Sequence, residues 1–196
     1  MPETGSPVLL RRDAFADLPA LPATAGFAAR PIAAESAFVL RARGAAVAAA
    51  SSAFGLVLPE PVGATAEAAG RAALCLGPDE WLLIAPPEAA AEIVPAFAAL
   101  TAPLSLVEIG DRDAALELTG PLVAEALAAE IPVDLDLAAF PVGRATRTLF
   151  GKAGVMLWRR GAERFRLAFG RSFAGYVTGR LAVAVGHAQA RADDRG

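Results

Sequence analysis

The stretch Leu76-Gly77-Pro78-Asp79-Glu80-Trp81-Leu82-Leu83-Ile84 places a tight acidic turn between two apolar runs. Proline presets the backbone angle that such a turn needs, and the apolar runs on both sides have the composition of strands. The stretch therefore predicts a β-hairpin formed by residues 71–76 and 80–85.

Working outward from this hairpin, the flanking segments complete a small unit. Residues 38–42 and 104–109 have the pattern of strands, and residues 44–58 and 88–100 have the composition of helices. The resulting order βαββαβ is that of a ferredoxin-like unit, which we assign to residues 36–110.

The rest of the chain predicts a second antiparallel unit, residues 111–188, that shares its core with the first. Its elements are a strand at 114–118, a short helix after Thr119-Gly120-Pro121, a connector at 131–141, strands at 144–150, 155–158 and 165–169, and a helix at 172–188. Residues 1–35, rich in proline and alanine, predict an extended arm, and residues 189–196 predict a frayed tail. The fold class expected is α+β.

Composition excludes several classes of function. The chain has 196 residues, 55% of them hydrophobic, a net charge of −3 and one lysine, Lys152, so nothing in it resembles a basic nucleic-acid-binding stripe. The single cysteine, Cys75, excludes an internal disulfide. The N-terminus has no apolar run of signal-peptide length, and no apolar run in the chain reaches the roughly 20 residues that span a bilayer. We expect a cytoplasmic protein that binds neither nucleic acid nor membrane.

Candidate catalytic side chains are few. A nucleophile with its base could only be Cys75 with His187, but Cys75 lies in an apolar strand and His187 near the end of a helix. A buried thiol is inert, and a lone histidine at a helix end is usually solvated. The favoured interpretation is structural for both, with catalysis as the alternative.

Two further patterns have both a chemical and a structural interpretation. Gly151-Lys152 lacks the flanking residues of a phosphate-binding loop, so a hairpin turn is favoured. Asp134 and Asp136 would share one face of an extended chain and could bind a cation, but a half-exposed connector is favoured.

Aromatic and cationic side chains offer two more possibilities. Trp81 and Trp158 could stack a planar ligand such as a pterin or flavin, although core or interface packing is favoured. The C-terminal strands carry arginines that could pair with an acidic partner, although a solvated sheet face is favoured; these are Arg144, Arg147, Arg159, Arg160, Arg164, Arg166 and Arg171. We therefore predict no catalytic residue and no metal site, and no cofactor-binding residue can be assigned.

Residues 38–185 resemble the gamma subunit of heterotetrameric sarcosine oxidase. The resemblance rests on four ordered motifs, namely Leu76-Gly77-Pro78-Asp79-Glu80-Trp81-Leu82-Leu83, Ala115-Leu116-Glu117-Leu118-Thr119-Gly120-Pro121, Asp134-Leu135 with Phe140-Pro141-Val142-Gly143, and Arg171-Ser172-Phe173-Ala174-Gly175-Tyr176. It implies a fold related to the folate-binding region of the glycine cleavage T protein.

The resemblance also implies a role and partners. The complex has alpha, beta, gamma and delta subunits and oxidatively demethylates sarcosine to glycine. The one-carbon unit passes to tetrahydrofolate or leaves as formaldehyde, and oxygen becomes hydrogen peroxide. FAD, FMN and NAD belong to the large subunits and zinc to the delta subunit, and no catalytic residue is assigned to gamma.

Two hypotheses follow from these observations. The leading one is a non-catalytic structural subunit of a sarcosine-oxidase complex, because the motifs occur in order without a catalytic set. The alternative is a free-standing folate-binding or aminomethyltransferase-like protein, which rests on the relationship of fold alone.

Overall fold

The computed structural model describes residues 13–195, which form two antiparallel β-sheets with helices on their outer faces. In chain order the elements are β1 (Ala23–Thr24), β2 (Phe27–Pro31), β3 (Ser36–Ala42), α1 (Ala45–Phe54), β4 (Thr65–Ala68), β5 (Arg71–Gly77), β6 (Glu80–Ala85), α2 (Ala90–Ala98), β7 (Leu104–Glu108), β8 (Asp113–Thr119), α3 (Val123–Ala128), β9 (Ala145–Phe150), β10 (Ala153–Gly161), β11 (Arg164–Gly170) and α4 (Ala174–Asp193). No helix within residues 13–195 is long and apolar enough to cross a membrane.

The first sheet has five strands in the order β4-β5-β6-β3-β7. Its last four strands, with α1 and α2 on one face, form the predicted ferredoxin-like unit. The edge strand β4 was not predicted, because its four residues, Thr65–Ala68, are few and include no large apolar side chain. The α+β fold class is confirmed.

The hairpin predicted at residues 71–85 is present as β5 and β6, with a register irregularity between Cys75 and Gly77. Its turn is held by Asp79, whose carboxylate accepts hydrogen bonds from Arg41 at 2.9 Å and Arg43 at 2.8 Å. These bonds hold the pKa of the Asp79 carboxyl below its usual range, and the bond from Arg43 has the largest effect. The acidic residue of the motif thus ties the turn to the neighbouring strand.

The second sheet has six strands in the order β1-β2-β8-β11-β10-β9. The strand order of the second sheet repeats that of the first, because β10 corresponds to β5, β11 to β6, β8 to β3 and β2 to β7. The helices α3 and α4 cover the outer face of the second sheet. The two units are therefore structural repeats. In the second repeat, the strand beside β8 precedes the unit in sequence instead of following it.

This arrangement corrects the expectation for the N-terminal arm of residues 1–35. Residues 1–12 lie outside the described range, but Phe27–Pro31 are a strand of the second sheet, paired along β8. The side chains of Phe27 and Ala29 point inward and are buried. The alternation of buried and less buried positions is too short to be recognised in the sequence, because Pro31 ends it.

A close backbone approach explains the glycine of the motif Thr119-Gly120-Pro121. Gly120 has φ +117°, and a Cβ placed there would lie 2.3 Å from the carbonyl oxygen of Gly26. The chain entering β2 can pass this close because Gly120 has no side chain.

The last helix is longer than predicted. It continues to Asp193, so residues 189–193 are helical instead of part of a frayed tail. Ala188 is fully buried, and Arg191 Nε donates to Glu125 Oε1 of α3 at 2.6 Å, which holds the final turns against the neighbouring helix.

The two sheets pack with their inner faces together, which gives four layers in the order helix, sheet, sheet, helix. Between the sheets lies a small apolar cluster made of Ala72, Leu74, Leu82, Ile84, Ala115, Ala145, Met156, Trp158 and Ala168. Each sheet also has a larger core beneath its own helices. Four of these nine residues are alanines, whose small side chains allow the two sheets to approach.

Candidate functional site

A cavity of about 730 Å³ lies between the inner faces of the two sheets. Val39 and Leu82 line it from the first sheet, and Met156 and Ala168 line it from the second. Its lining includes Gly154, which is exposed. Mostly apolar walls of this volume are typical of sites for small molecules.

One wall of the cavity carries a shared ion pair. Arg147 lines the cavity and donates to the buried carboxylate of Glu80, whose other oxygen lies 2.6 Å from Arg41 Nη2. The hydrogen bond from Arg147 is the main cause of a lowered pKa for Glu80. Glu80 of the hairpin motif thus links the two sheets as a permanently charged group at neutral pH.

A second ion pair joins two residues that line the cavity. Arg166 of β11 is only 7% exposed, and its Nη1 lies 2.7 Å from Glu35 Oε2. Its Nε–H is buried and donates to no acceptor among residues 13–195. Arg166 lines the cavity, but this Nε–H does not open onto it.

A third pair joins neighbouring residues at the end of the cavity. Arg112 Nη2 lies 3.0 Å from Asp113 Oδ2, and this carboxylate raises the pKa of Arg112. Arg171, from the 3₁₀ turn that follows β11, lines the same region.

The two residues considered for nucleophilic catalysis lie on different units. Cys75 is fully buried in the first sheet, where its Sγ lies 3.3 Å from the carbonyl oxygens of Glu60 and Gly77, and burial raises its pKa. His187 is exposed on α4, the outer helix of the second sheet. The fold does not bring them together, and Cys75 has the features of an inert core thiol.

The segment Gly151-Lys152 forms the turn between β9 and β10. The backbone N–H of Lys152 donates to the hydroxyl of Tyr176 at 2.9 Å, and the N–H of Gly151 donates to the carbonyl of Glu130 at 2.9 Å. Both amides are engaged inside the chain, which matches the hairpin interpretation and leaves no phosphate cradle at this turn.

The paired aspartates of the connector serve local turns. Asp134 Oδ1 accepts from the N–H of Asp136 at 2.9 Å, and Asp136 Oδ1 accepts from the N–H of Ala138 at 2.8 Å. Across residues 13–195, no group of three or more histidine, cysteine, aspartate or glutamate side chains is arranged to hold a metal ion.

Both tryptophans are buried. Trp81 lies in the first core and donates from Nε1 to the carbonyl of Pro59 at 2.7 Å. Trp158 lies in the cluster between the sheets, with the guanidinium of Arg160 stacked 4.9 Å from its ring centre. The indole faces are occupied by protein atoms, in line with the packing interpretation.

The arginines of the C-terminal strands match the predicted solvated sheet face only in part, because Arg144, Arg147 and Arg164 are exposed and the others are not. Arg159 and Arg166 are buried, and Arg160 pairs with Glu67 and lies 3.7 Å from Glu117. The second sheet directs these residues toward the first sheet or toward the connector, so their charges meet partners within the chain. Alternation in β11 could have shown that Arg166 opposes the apolar face, but not that another sheet covers it.

Arg159 explains the motif at residues 134–143. The residue is 3% exposed, and its guanidinium lies 4.8 Å from the ring centre of Phe165. It donates to the carbonyls of Leu135 and Phe140, each at 2.8 Å, and to that of Ala162 at 2.7 Å. The connector is thereby tied to the β10–β11 hairpin.

Comparison with known proteins extends this description. The family model described as sarcosine oxidase, gamma subunit family, matches residues 39–186. Sarcosine oxidase subunit gamma from Arthrobacter sp. is 40% identical over 119 residues, which are 59% of this chain and 58% of that protein. The chain thus spans less than two thirds of the length of the curated relatives it matches.

Two solved structures share the fold. A chain of the heterotetrameric sarcosine oxidase from Corynebacterium sp. U-96, solved in complex with pyrrole 2-carboxylate, superposes with a TM-score of 0.75 at 31% identity, over 82% of this chain and 84% of that one. The glycine cleavage system aminomethyltransferase T from Bartonella henselae gives 0.59 at 17% identity, over 80% of this chain and 45% of that one, which shows a shared fold alone. The family model matches residues 39–186, and the structure shows the contacts that the shared motifs make. The chain therefore belongs to the sarcosine oxidase gamma subunit family.

Proposed function

We propose that this chain is a non-catalytic, structural gamma subunit that assembles with alpha, beta and delta subunits in the cytoplasm. The observation that carries the proposal is the superposition on a chain of a heterotetrameric sarcosine oxidase, with a TM-score of 0.75 over 82% of this chain. The side chains first considered for chemistry support it, because Cys75, Asp134 and Asp136 are engaged in packing and turns.

The activity proposed for the whole complex is oxidative demethylation of sarcosine. Sarcosine, oxygen and water give glycine, formaldehyde and hydrogen peroxide, or the one-carbon unit passes to tetrahydrofolate. The cofactors FAD, FMN and NAD and the zinc ion are proposed to reside in the partner subunits. The role of this chain is then to support their assembly.

Co-expression tests this proposal directly. An affinity-tagged copy of the chain, expressed with the three companion genes of its host, is expected to return all four subunits with the absorbance of bound flavin. The eluate should produce hydrogen peroxide only when sarcosine is added. The matched control omits this chain and carries the tag on the beta subunit, and it should yield less assembled complex.

Two results would contradict the proposal. One is sarcosine oxidation by the purified chain alone, which would place catalysis within it. The other is recovery of the tagged chain without companions and without colour from cells that express all four genes.

A free-standing folate-binding or aminomethyltransferase-like protein remains the second candidate. The cavity between the sheets favours it, because its volume of about 730 Å³ would accommodate a pterin ring. Titration of the isolated chain with tetrahydrofolate, followed by calorimetry, separates the two proposals. Binding that saturates would favour this candidate, and no heat at millimolar ligand would exclude it.

A further inference from the structure

A ladder of alternating charges crosses from the first sheet to the second. Its members, from end to end, are Arg43, Asp79, Arg41, Glu80 and Arg147. The carboxylate of Asp79 lies between two guanidinium groups, with Arg43 Nε at 2.8 Å and Arg41 Nη1 at 2.9 Å. Glu80 joins Arg41 to Arg147 in the same way. The ladder therefore contains three cations and two anions, a formal excess of one positive charge.

The two kinds of charge in this ladder are not equally exposed. The side chains of Arg43, Arg41 and Arg147 are 84%, 55% and 51% exposed, whereas those of Asp79 and Glu80 are 16% and 9% exposed. The guanidinium groups thus form the outer layer, and the carboxylates lie beneath them and hold them in place. A molecule that approaches this surface meets positive charge first, on side chains that already have fixed positions.

Exposed apolar side chains lie beside the ladder in both sheets. Val107 of β7 is 53% exposed and lies opposite Val39, which neighbours Arg41 on the same face of β3. Leu149 of β9 is 50% exposed and neighbours Arg147 on the same face of that strand. We define the docking surface as the charge ladder together with Val107 and Leu149.

The charge of the docking surface selects its partner. Covering the ladder with a purely apolar surface would bury an excess positive charge, which is unfavourable. A partner that brings a carboxylate neutralises the excess, and an arginine–carboxylate pair is among the stronger hydrogen-bonded contacts. The surface spans two sheets and has apolar side chains in both, so it is larger than a small anion requires.

From these observations, we propose that the docking surface binds an acidic segment of a companion subunit. A carboxylate of this segment pairs with the exposed guanidinium of Arg43, and apolar side chains on the segment cover Leu149 and Val107. The inference rests on the proposed role as a subunit, and it adds which face of the chain docks and through which chemistry.

Competition within the assembled complex tests the docking surface. The full-length wild-type chain and one variant are co-expressed in equal amounts with the companion subunits, and the complex is captured through a tag on the beta subunit. Intact-mass spectrometry then gives the ratio of the two gamma forms in the eluate, relative to their ratio in the lysate. The wild-type chain in each eluate shows that assembly has taken place.

Two variants alter the docking surface, and two controls alter another surface. Arg43→Gln should be incorporated about tenfold less than the wild type, because a charge-assisted contact is lost. Leu149→Gln should be incorporated about fivefold less, because about half of the burial of a leucine side chain is lost. The controls are Arg191→Gln, which is 49% exposed and paired with Glu125, and Val183→Gln, which is 57% exposed; both lie on α4 and should compete equally with the wild type.

A cross-link identifies the chemistry of the partner segment. Lys152 is the only lysine in the sequence, so few amines compete in such an experiment. In a complex that carries Arg43→Lys, a carbodiimide should join the introduced amine to an aspartate or glutamate of a companion subunit, which peptide mass spectrometry would locate. The amine introduced by Arg191→Lys should give no such link.

Either of two results in an assembled complex would overturn the inference. One is incorporation of Arg43→Gln and Leu149→Gln at the same ratio as their controls, and the other is the absence of any link from Arg43→Lys to a companion carboxylate. Both would leave the proposed function intact, because the wild-type chain is still recovered with its companions. A captured complex without any gamma chain would contradict the proposed function and the docking surface together. If Leu149→Gln fails to fold, the variants of Arg43, the most exposed member of the ladder, still decide the matter.

Discussion

Replacing Arg159 by methionine should be one of the most damaging single changes in this chain. The substitution keeps the apolar stem but removes the donors that reach the carbonyls of Leu135, Phe140 and Ala162. Hydrogen bonds from a charged donor contribute about 1.5–3 kcal/mol each to stability. The carbonyls of Leu135 and Phe140 would lose their donor in a buried place, and that of Ala162 in a partly buried one.

Part of this loss is offset. Burial lowers the pKa of Arg159, which shows that keeping this cation inside the protein has a cost that methionine avoids. The expected net loss is about 4 kcal/mol in the free energy of unfolding. That is a large fraction of the roughly 5–15 kcal/mol that stabilise a domain.

Urea unfolding of the purified chain, followed by circular dichroism, measures the effect. Arg164→Met is the matched control, because its guanidinium is half-exposed and pairs with Glu117 at the surface; such a pair contributes about 0–1 kcal/mol. If the two variants differed by less than about 1 kcal/mol, the carbonyl contacts of Arg159 would not have the stabilising role assigned to them here.

Three further predictions concern single residues. Gly120→Ala should lower the free energy of unfolding by about 2 kcal/mol or more, because alanine there would have a positive φ and its Cβ would clash with the backbone of Gly26. Gly186→Ala, on the exposed face of α4, should raise the free energy of unfolding by about 0.5–1 kcal/mol, because alanine favours helix over glycine. Thermal melting would measure both changes. Cys75 should react with a thiol reagent at pH 8 only as fast as the protein unfolds, and fast labelling of the folded chain would contradict its burial. The pKa of Glu80 is lower in the folded state than in the unfolded state, so its contribution is complete above about pH 4.3 and is lost as the pH falls further. Glu80→Gln should therefore flatten the acid side of a stability profile, and an unchanged slope would argue against the pairing with Arg147.

The sequence was most informative where structure is local. The hairpin of residues 71–85 could be predicted because its turn residues and apolar runs are adjacent in the chain. The same holds for the βαββαβ order, whose elements are close in sequence and are interrupted only by the short edge strand β4.

Pairing between distant segments could not be predicted. Phe27–Pro31 offers only two buried positions, and its partner β8 begins at Asp113, so nothing near the strand indicates where it belongs. The cavity has the same origin, because it forms only when the inner faces of two separately encoded sheets are stacked.

Arginine was the residue type most easily misjudged. Arg159 and Arg166 occur among other arginines in a polar-looking segment, where a solvated face is the ordinary expectation. Their burial depends on partners supplied by Leu135, Phe140 and Glu35, and no local pattern identifies these.

The placement of β2 has a consequence for the order in which the chain can form during synthesis. The first sheet needs only residues 36–108, so its strands can pair while the ribosome is still producing the second repeat. The strand β2 leaves the ribosome early but has to wait for β8, and the sheet is finished only when β11 has emerged. Until β8 has emerged, the edge of β2 that pairs with β8 is unpaired. If the start of the chain, including β2, were removed, the corresponding edge of β8 would stay unpaired permanently. Early truncation should therefore cause aggregation through the second sheet, far along the sequence from the residues removed.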